Sequence, residues 1–189
     1  MGFFLTLVQV NRVGGSVVAN ALSNIHKLTP AEIGVVIGVM FLSSALVQIP
    51  FGIMLDRFGA RRMIVGWSSV AIIGMVIFGL AETSSGLTVG RTLIGIGHGA
   101  SITGVYLLAL AWASPERVAS VAATTIAVAG ALGGMIGTAP LAAAIEYLGF
   151  TDTFLYLALV SLVSSILIWF FVNDKPPGTR MENTKEHPK

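Results

Sequence analysis

A row of polar side chains runs along the first apolar segment at helical spacing. Five of them recur every three or four positions, which places them on one face of a helix: Gln9, Arg12, Ser16, Asn20 and Ser23. Arg12 lies roughly 13 Å along the helix from Phe3, near the midplane if the segment crosses a bilayer. A guanidinium there can bind an anionic group through two parallel hydrogen bonds. The alternatives are a structural salt bridge or a side chain that extends to the headgroups.

Two further ionisable residues, Arg91 and His98, lie seven positions apart on one face of another apolar segment. If this segment runs opposite to the first, His98, about 10 Å deeper than Arg91, is predicted to lie at the depth of Arg12. Histidine titrates near neutral pH, so His98 is a candidate carrier of a coupling proton. The alternatives are that His98 hydrogen-bonds a backbone carbonyl and that Arg91 extends toward the membrane surface.

Composition indicates that these residues lie in a membrane protein. The 189 residues are 54% hydrophobic and 11% charged, with a mean hydropathy of +0.86, whereas about a quarter of the residues in a soluble domain are charged. Helices are predicted because open strands leave backbone groups unsatisfied in lipid. Six segments reach the length of about 20 residues that a membrane span needs: 3–23, 31–55, 63–80, 87–111, 118–144 and 154–172.

These spans predict an all-α membrane protein with two parts. Residues 1–173 form a unit of six transmembrane helices, and residues 174–189 form a polar cytoplasmic tail or the start of a linker. The absence of cysteine excludes disulfides and thiolate metal sites, and no metal, cofactor or nucleic-acid site is predicted. His98 and Ser101 lie on one helix turn without a catalytic partner, so the chain is not predicted to be an enzyme.

Basic residues predict the orientation in the membrane, since Lys and Arg remain on the cytoplasmic side during insertion. With both termini in the cytoplasm, the outer loops hold only Lys27, and the cytoplasmic membrane is the predicted location. The cytoplasmic loops and the tail then hold eight of the eleven basic residues: Arg57, Arg61, Arg62, Arg117, Lys175, Arg180, Lys185 and Lys189.

Two motifs connect the chain to a known family. The loop after the second span resembles the loop between the second and third helices of major facilitator superfamily transporters, through Gly52, Asp56, Arg57, Gly59, Arg61 and Arg62. The fourth span resembles that family's fourth-helix motif, through Leu87, Arg91, Gly95, Gly97 and Gly99. The resemblance implies a conformational role for the loop, with Glu116 as a partner of its basic residues. It also implies a role for Arg91 in substrate binding or coupling.

The resemblance covers the amino-terminal half of a family whose members have twelve helices. It implies secondary active transport of a small solute by alternating access, with a coupling proton or sodium ion and a second six-helix half in the same or a separate chain. Arg12 makes an anionic organic solute the expected substrate. The alternatives are a truncated, transport-inactive structural or assembly subunit and half of a drug/proton antiporter. Glycines at 130, 133, 134 and 137 loosely resemble the antiporter motif.

An internal repeat is also predicted. Pro50, Asp56 and Gly59 end the second span, and a second triplet ends the fifth span with the same offsets: Pro140, Glu146 and Gly149. Since these two spans leave the membrane on opposite sides, the two three-helix repeats are inverted, as in this family. The glycines between positions 130 and 137 either pack within this half or form an interface with a second copy.

Overall fold

The computed structural model describes residues 2–99 and 101–172, apart from the side chains of Leu55, Asp56, Arg57 and Ala60. The regular structure of these residues is helical. In chain order, the helices are α1 (Gly2–Val13), α2 (Gly15–Asn24), α3 (Pro30–Phe58), α4 (Ala60–Leu80), α5 (Ser84–His98), α6 (Ser101–Trp112), α7 (Val118–Ile136), α8 (Ala139–Leu148) and α9 (Phe150–Phe171).

The helices confirm an all-α membrane protein with five spans, or six when the bent pair α1 and α2 is counted as one span. Five spans are long and apolar enough to cross a bilayer: they contain α3, α4, α5 with α6, α7, and α9. The pair α1 and α2 passes the same test as one span with a bend of 47°. The predicted tail, residues 174–189, lies outside the described residues.

Four predicted spans need correction, among them the sixth, which begins at Phe150 rather than Phe154. The first span is interrupted at Gly14, between α1 and α2, and the fifth ends its first helix at Ile136 and resumes at Ala139. Pro140 lies in the first turn of α8, where its missing N–H removes no helical hydrogen bond. The fourth span begins at Ser84 rather than Leu87, because the Thr83 hydroxyl caps the helix by accepting a hydrogen bond from the Gly86 N–H (3.2 Å).

Part of the helix packing agrees with a repeat of three spans, although α4 packs far more closely on α5 than its counterpart α9 packs on α1. Helix α4, the third span, packs along α9, the sixth. The contacts of α1 with α7 and of α5 with α3 exchange when the two repeats are exchanged. Gly59 (φ 82°, ψ 155°) and Gly149 (φ 90°, ψ 163°) precede α4 and α9 in nearly the same conformation. The two repeats therefore make the same turn between their second and third spans.

Glycines in α7 pack against α1. A Cβ at Gly133 would overlap the Cβ of Gln9 and lie 3.0 Å from the Thr6 carbonyl, and a Cβ at Gly137 would lie 3.0 Å from the Val10 carbonyl. These two glycines thus serve packing within this half. A Cβ at Gly134 would meet nothing within 4 Å, so an interface with a second copy stays a prediction for this position.

We expect Gly149→Ala to destabilise the fold although there is open space around this position. Its backbone lies in a region that is essentially restricted to glycine, and strain of this kind costs about 1–3 kcal/mol. Gly66→Ala, in the middle of α4 and also in open space, is the control, because alanine is favoured over glycine in a helix. Thermal unfolding of the purified variants in detergent measures both. The prediction would be contradicted if Gly149→Ala were as stable as Gly66→Ala or more stable.

Candidate functional site

Arg12 lies in the last turn of α1 and is half-buried against α3. Its Nη2 donates a hydrogen bond to the Ser44 hydroxyl (2.9 Å). Its Nε is shielded from solvent and has no hydrogen-bond partner among the described residues. The hydroxyl of Ser44 orients the guanidinium and leaves its charge available to an anion.

The polar row of the first span lies on its uncovered side. Ser16, Asn20 and Ser23 are exposed and Gln9 is half-buried, whereas Val10, Val18 and Leu22 on the other side are buried. Polar side chains in a membrane helix are poorly satisfied when they face lipid and usually face a wet cavity or other protein. The uncovered side of α1 and α2 is therefore the candidate site.

Gln9 packs against α7. Its Cβ lies against Gly133, and its Nε2 lies 3.6 Å from the position that a Cβ at Gly130 would occupy. The α7 helix thus borders the candidate site at Gln9. Farther along the row, Asn20 lines a cavity of about 440 Å³ between α2 and α8, together with Asn24 and Glu146.

Arg91 is buried in the core and lies apart from the polar row, with 1% of its surface exposed. Its Nη1 donates to the backbone carbonyl of Asn11 (3.3 Å) and contacts the Met40 sulfur (3.1 Å). The guanidinium carbon lies 4.6 Å from the centre of the Phe78 ring, a favourable cation–π geometry. The side chain points into the protein, so the alternative in which it extends toward the headgroups is wrong.

His98 is also buried, with 2% of its surface exposed. Its ring lies edge-on to Phe4, with ring centres 6.3 Å apart, and Nδ1 has no partner among the described residues. The predicted similar depth of His98 and Arg12 agrees with the contacts of Ser44. This residue accepts a hydrogen bond from Arg12, and its carbonyl lies 2.8 Å from the position that a Cβ at Gly99, next to His98, would occupy.

One residue of the loop motif, Arg61 in the first turn of α4, contacts the second repeat. The Arg61 Nη1 donates to the carbonyl of Val172 (3.5 Å), and its guanidinium carbon lies 4.8 Å from the centre of the Trp169 ring. Arg62 is exposed, and a Cβ at Gly52 would meet nothing within 4 Å. The side chains of Asp56 and Arg57 lie outside the described residues. A partnership between the loop and Glu116 stays a prediction.

Sequence reasoning missed Asn11, Met40 and Ser44, which hold the two arginines in place. Asn11 lies off the polar row, and its contribution to Arg91 is a backbone carbonyl, which any residue could supply. Met40 has the composition of an ordinary core residue. Ser44, next to Ser43 in a largely apolar segment, carried a weak sequence signal.

Comparison with known proteins shows the family of this chain. A family model described as Major Facilitator Superfamily matches residues 1–188. The chain belongs to the major facilitator superfamily. The motif loop and the glycine-rich α5 helix thus lie in a chain whose family identity rests on nearly its whole length.

Several relatives of this superfamily chain have names that describe transport. It is 33% identical over 157 residues to an uncharacterized transporter of Buchnera aphidicola, covering 82% of this chain and 39% of that protein. It is 27% identical over 170 residues to a probable sulfoacetate transporter of Cupriavidus necator, covering 90% of this chain and 39% of that protein. Probable anion transporter 5 of Arabidopsis thaliana is 27% identical over 197 residues, covering 98% of this chain and 43% of that protein. The chain thus spans about two fifths of the length of these relatives.

Proposed function

We propose that this chain is half of a secondary active transporter that moves a small anionic organic solute across the cytoplasmic membrane by alternating access. The observation that carries the proposal is the guanidinium of Arg12, held by Ser44 on the uncovered polar side of the first span. Ser16 and Asn20 extend the polar surface on that side, and Gln9 borders it. The names of the sulfoacetate and anion transporters among the relatives support an anionic substrate.

A second six-helix half completes the site in this proposal. The relatives are more than twice as long as the matched region, and transporters of this superfamily bind solute between two halves. A second half would cover the polar side of α1 and α2, which is unfavourable against lipid. The coupling ion is a proton or sodium. A role for His98 in carrying the proton would require its buried ring to become accessible during the transport cycle.

A flux assay tests the transport function. The complete protein, this chain together with its second half, is reconstituted in liposomes, and uptake of labelled sulfoacetate and of small carboxylates is compared with that of a neutral diol. We expect saturable uptake of at least one anion and none of the diol. Absence of anion uptake and anion binding by folded protein would favour the structural-subunit alternative. Exchange of protons for a cationic drug would favour the antiporter alternative.

The orientation is tested by single cysteines in this naturally cysteine-free chain. We expect an impermeant maleimide to label Lys27→Cys in intact cells and to label Ala60→Cys only after the membrane is permeabilised. The reason is the concentration of basic residues on one side of the membrane. Labelling of Ala60→Cys in intact cells would contradict cytoplasmic termini.

A further inference from the structure

We propose that Arg91 is a positioning residue: its guanidinium holds the carboxyl-terminal end of α1 and thereby directs Arg12 toward the solute. The inference rests on the proposed function in so far as Arg12 binds the anion. It assigns to Arg91 a role different from direct contact with substrate or coupling ion, because the buried side chain is separated from the polar side of the first span.

The helix of the first span is interrupted at Gly14, two positions after Arg12. Backbone hydrogen bonds there join the Gly14 N–H to the Val10 carbonyl (2.9 Å) and the Val18 N–H to the Gly14 carbonyl (2.9 Å). The carbonyl of Asn11 accepts a hydrogen bond from Arg91. The last carbonyls of a helix lack partners within the helix and carry partial negative charge. A buried guanidinium therefore stabilises the end of α1 at this point.

Arg91 is itself held by contacts of different strength. Its described contacts come from three helices: the Asn11 carbonyl of α1, the Met40 sulfur of α3 and the Phe78 ring of α4. The sulfur and the ring are polarisable groups without net charge. Among these contacts, the carbonyl is the strongest hydrogen-bond acceptor, so the guanidinium acts chiefly on α1.

The hydrogen bond from Arg91 to the Asn11 carbonyl acts on Arg12 through the backbone. The Asn11 carbonyl belongs to the peptide unit that joins Asn11 to Arg12, and this unit is planar and rigid. The Asn11 side chain fixes the same turn, since its Nδ2 donates to the Leu7 carbonyl (3.1 Å) and contacts the Met75 sulfur (3.9 Å). Movement of the peptide unit would move the Cα of Arg12 and disturb its hydrogen bond to Ser44.

Hydrogen exchange of the substrate-free protein tests the positioning role without relying on transport. In Arg91→Met, which keeps an unbranched side chain but removes every donor, we expect amides between positions 14 and 18 to exchange roughly ten- to hundredfold faster, as loss of a hydrogen bond to a charged group implies. Arg91→Lys should restore part of the protection, because an ammonium can donate to the same carbonyl. Thr92→Val, on the same helix, is the control, since the Thr92 hydroxyl bonds within α5.

Wild-type exchange at positions 14–18 in folded Arg91→Met would overturn the proposal. Should Arg91→Met fail to fold, Arg91→Leu, which likewise removes every donor, carries the same test, and wild-type exchange at positions 14–18 in that folded variant would overturn the proposal. These results are independent of the anion assignment, which fails separately if Arg12→Ala leaves anion affinity unchanged.

A double-mutant cycle on anion affinity distinguishes positioning from direct contact. Arg91→Met should weaken binding when Arg12 is present and have little further effect in the Arg12→Ala background, because its effect passes through Arg12. The complete protein is used, and a thermal-shift titration with the transported anion measures affinity. Fully additive losses would show that Arg91 contacts the anion itself and would overturn the positioning role.

Discussion

Arg12→Ala is expected to weaken binding of the transported anion on the order of 30-fold or more, while the protein still folds and inserts. Removing one partner of a desolvated, hydrogen-bonded charge pair costs roughly 2–5 kcal/mol, and each 1.4 kcal/mol corresponds to tenfold in affinity. Arg12→Lys should fall between Ala and the wild type, because an ammonium lacks the planar two-donor geometry of a guanidinium.

The measurement is a binding titration on the complete protein with the anion identified by the flux assay. Arg62→Ala is the matched control, since it removes an exposed arginine in the first turn of α4 and should leave affinity unchanged. Ser44→Ala removes the hydroxyl that orients Arg12 and should weaken binding less than Arg12→Ala. Unchanged affinity in well-folded Arg12→Ala would make Arg12 a structural residue and remove the main support for an anionic substrate.

Gly133→Ala is expected to destabilise the protein by about 1–3 kcal/mol, the usual cost of overpacking a well-packed interior. The added Cβ would overlap Gln9 and lie 3.0 Å from the Thr6 carbonyl, so α7 would have to move away from α1. The loss should appear as a lower unfolding temperature and a smaller monodisperse fraction in detergent. Because Gln9 borders the candidate site, anion affinity should fall as well.

Gly134→Ala is the matched control for this substitution. It adds the same methyl group one position along α7, where nothing lies within 4 Å, and alanine favours the helix by about 1 kcal/mol over glycine. We expect neutral or raised stability from Gly134→Ala in the isolated chain. Equal losses from both substitutions would contradict the close approach of α1 and α7. If Gly134→Ala lowers the stability of the complete protein but not that of the isolated chain, position 134 lies at an interface with the second half.

The predicted secondary structure was most accurate where hydrophobicity alone decides it. The long apolar runs predicted α3, α4 and α9 to within a few residues, because a bilayer requires about 20 apolar residues in each span. The interruptions at Gly14 and after Ile136 were missed. Both occur at glycines inside predicted spans, and glycine is compatible with either a helix or a break.

The candidate site was predicted in part. The helical spacing of Gln9, Arg12, Ser16 and Asn20 indicated one polar face, and the burial of the opposite face agrees with it. The environment of Arg91 was beyond sequence reasoning. Its contacts with Asn11 and Met40 join residues 80 and 51 positions away in the chain, and no local pattern records such a distant pairing.

The sequence by itself determined that this protein spans a membrane, which residues form its spans and which family its loop and fourth-helix motifs resemble. These properties follow from local composition and spacing, which act through lipid solvation and helical periodicity. Only the tertiary structure decided that Arg91 is buried at the end of α1, that His98 lies beside Phe4 and that Gly133 packs on α1 while Gly134 does not. The physical reason is that neighbouring helices slide and rotate until their glycines and side chains fit, and this fit depends on residues far apart in the chain.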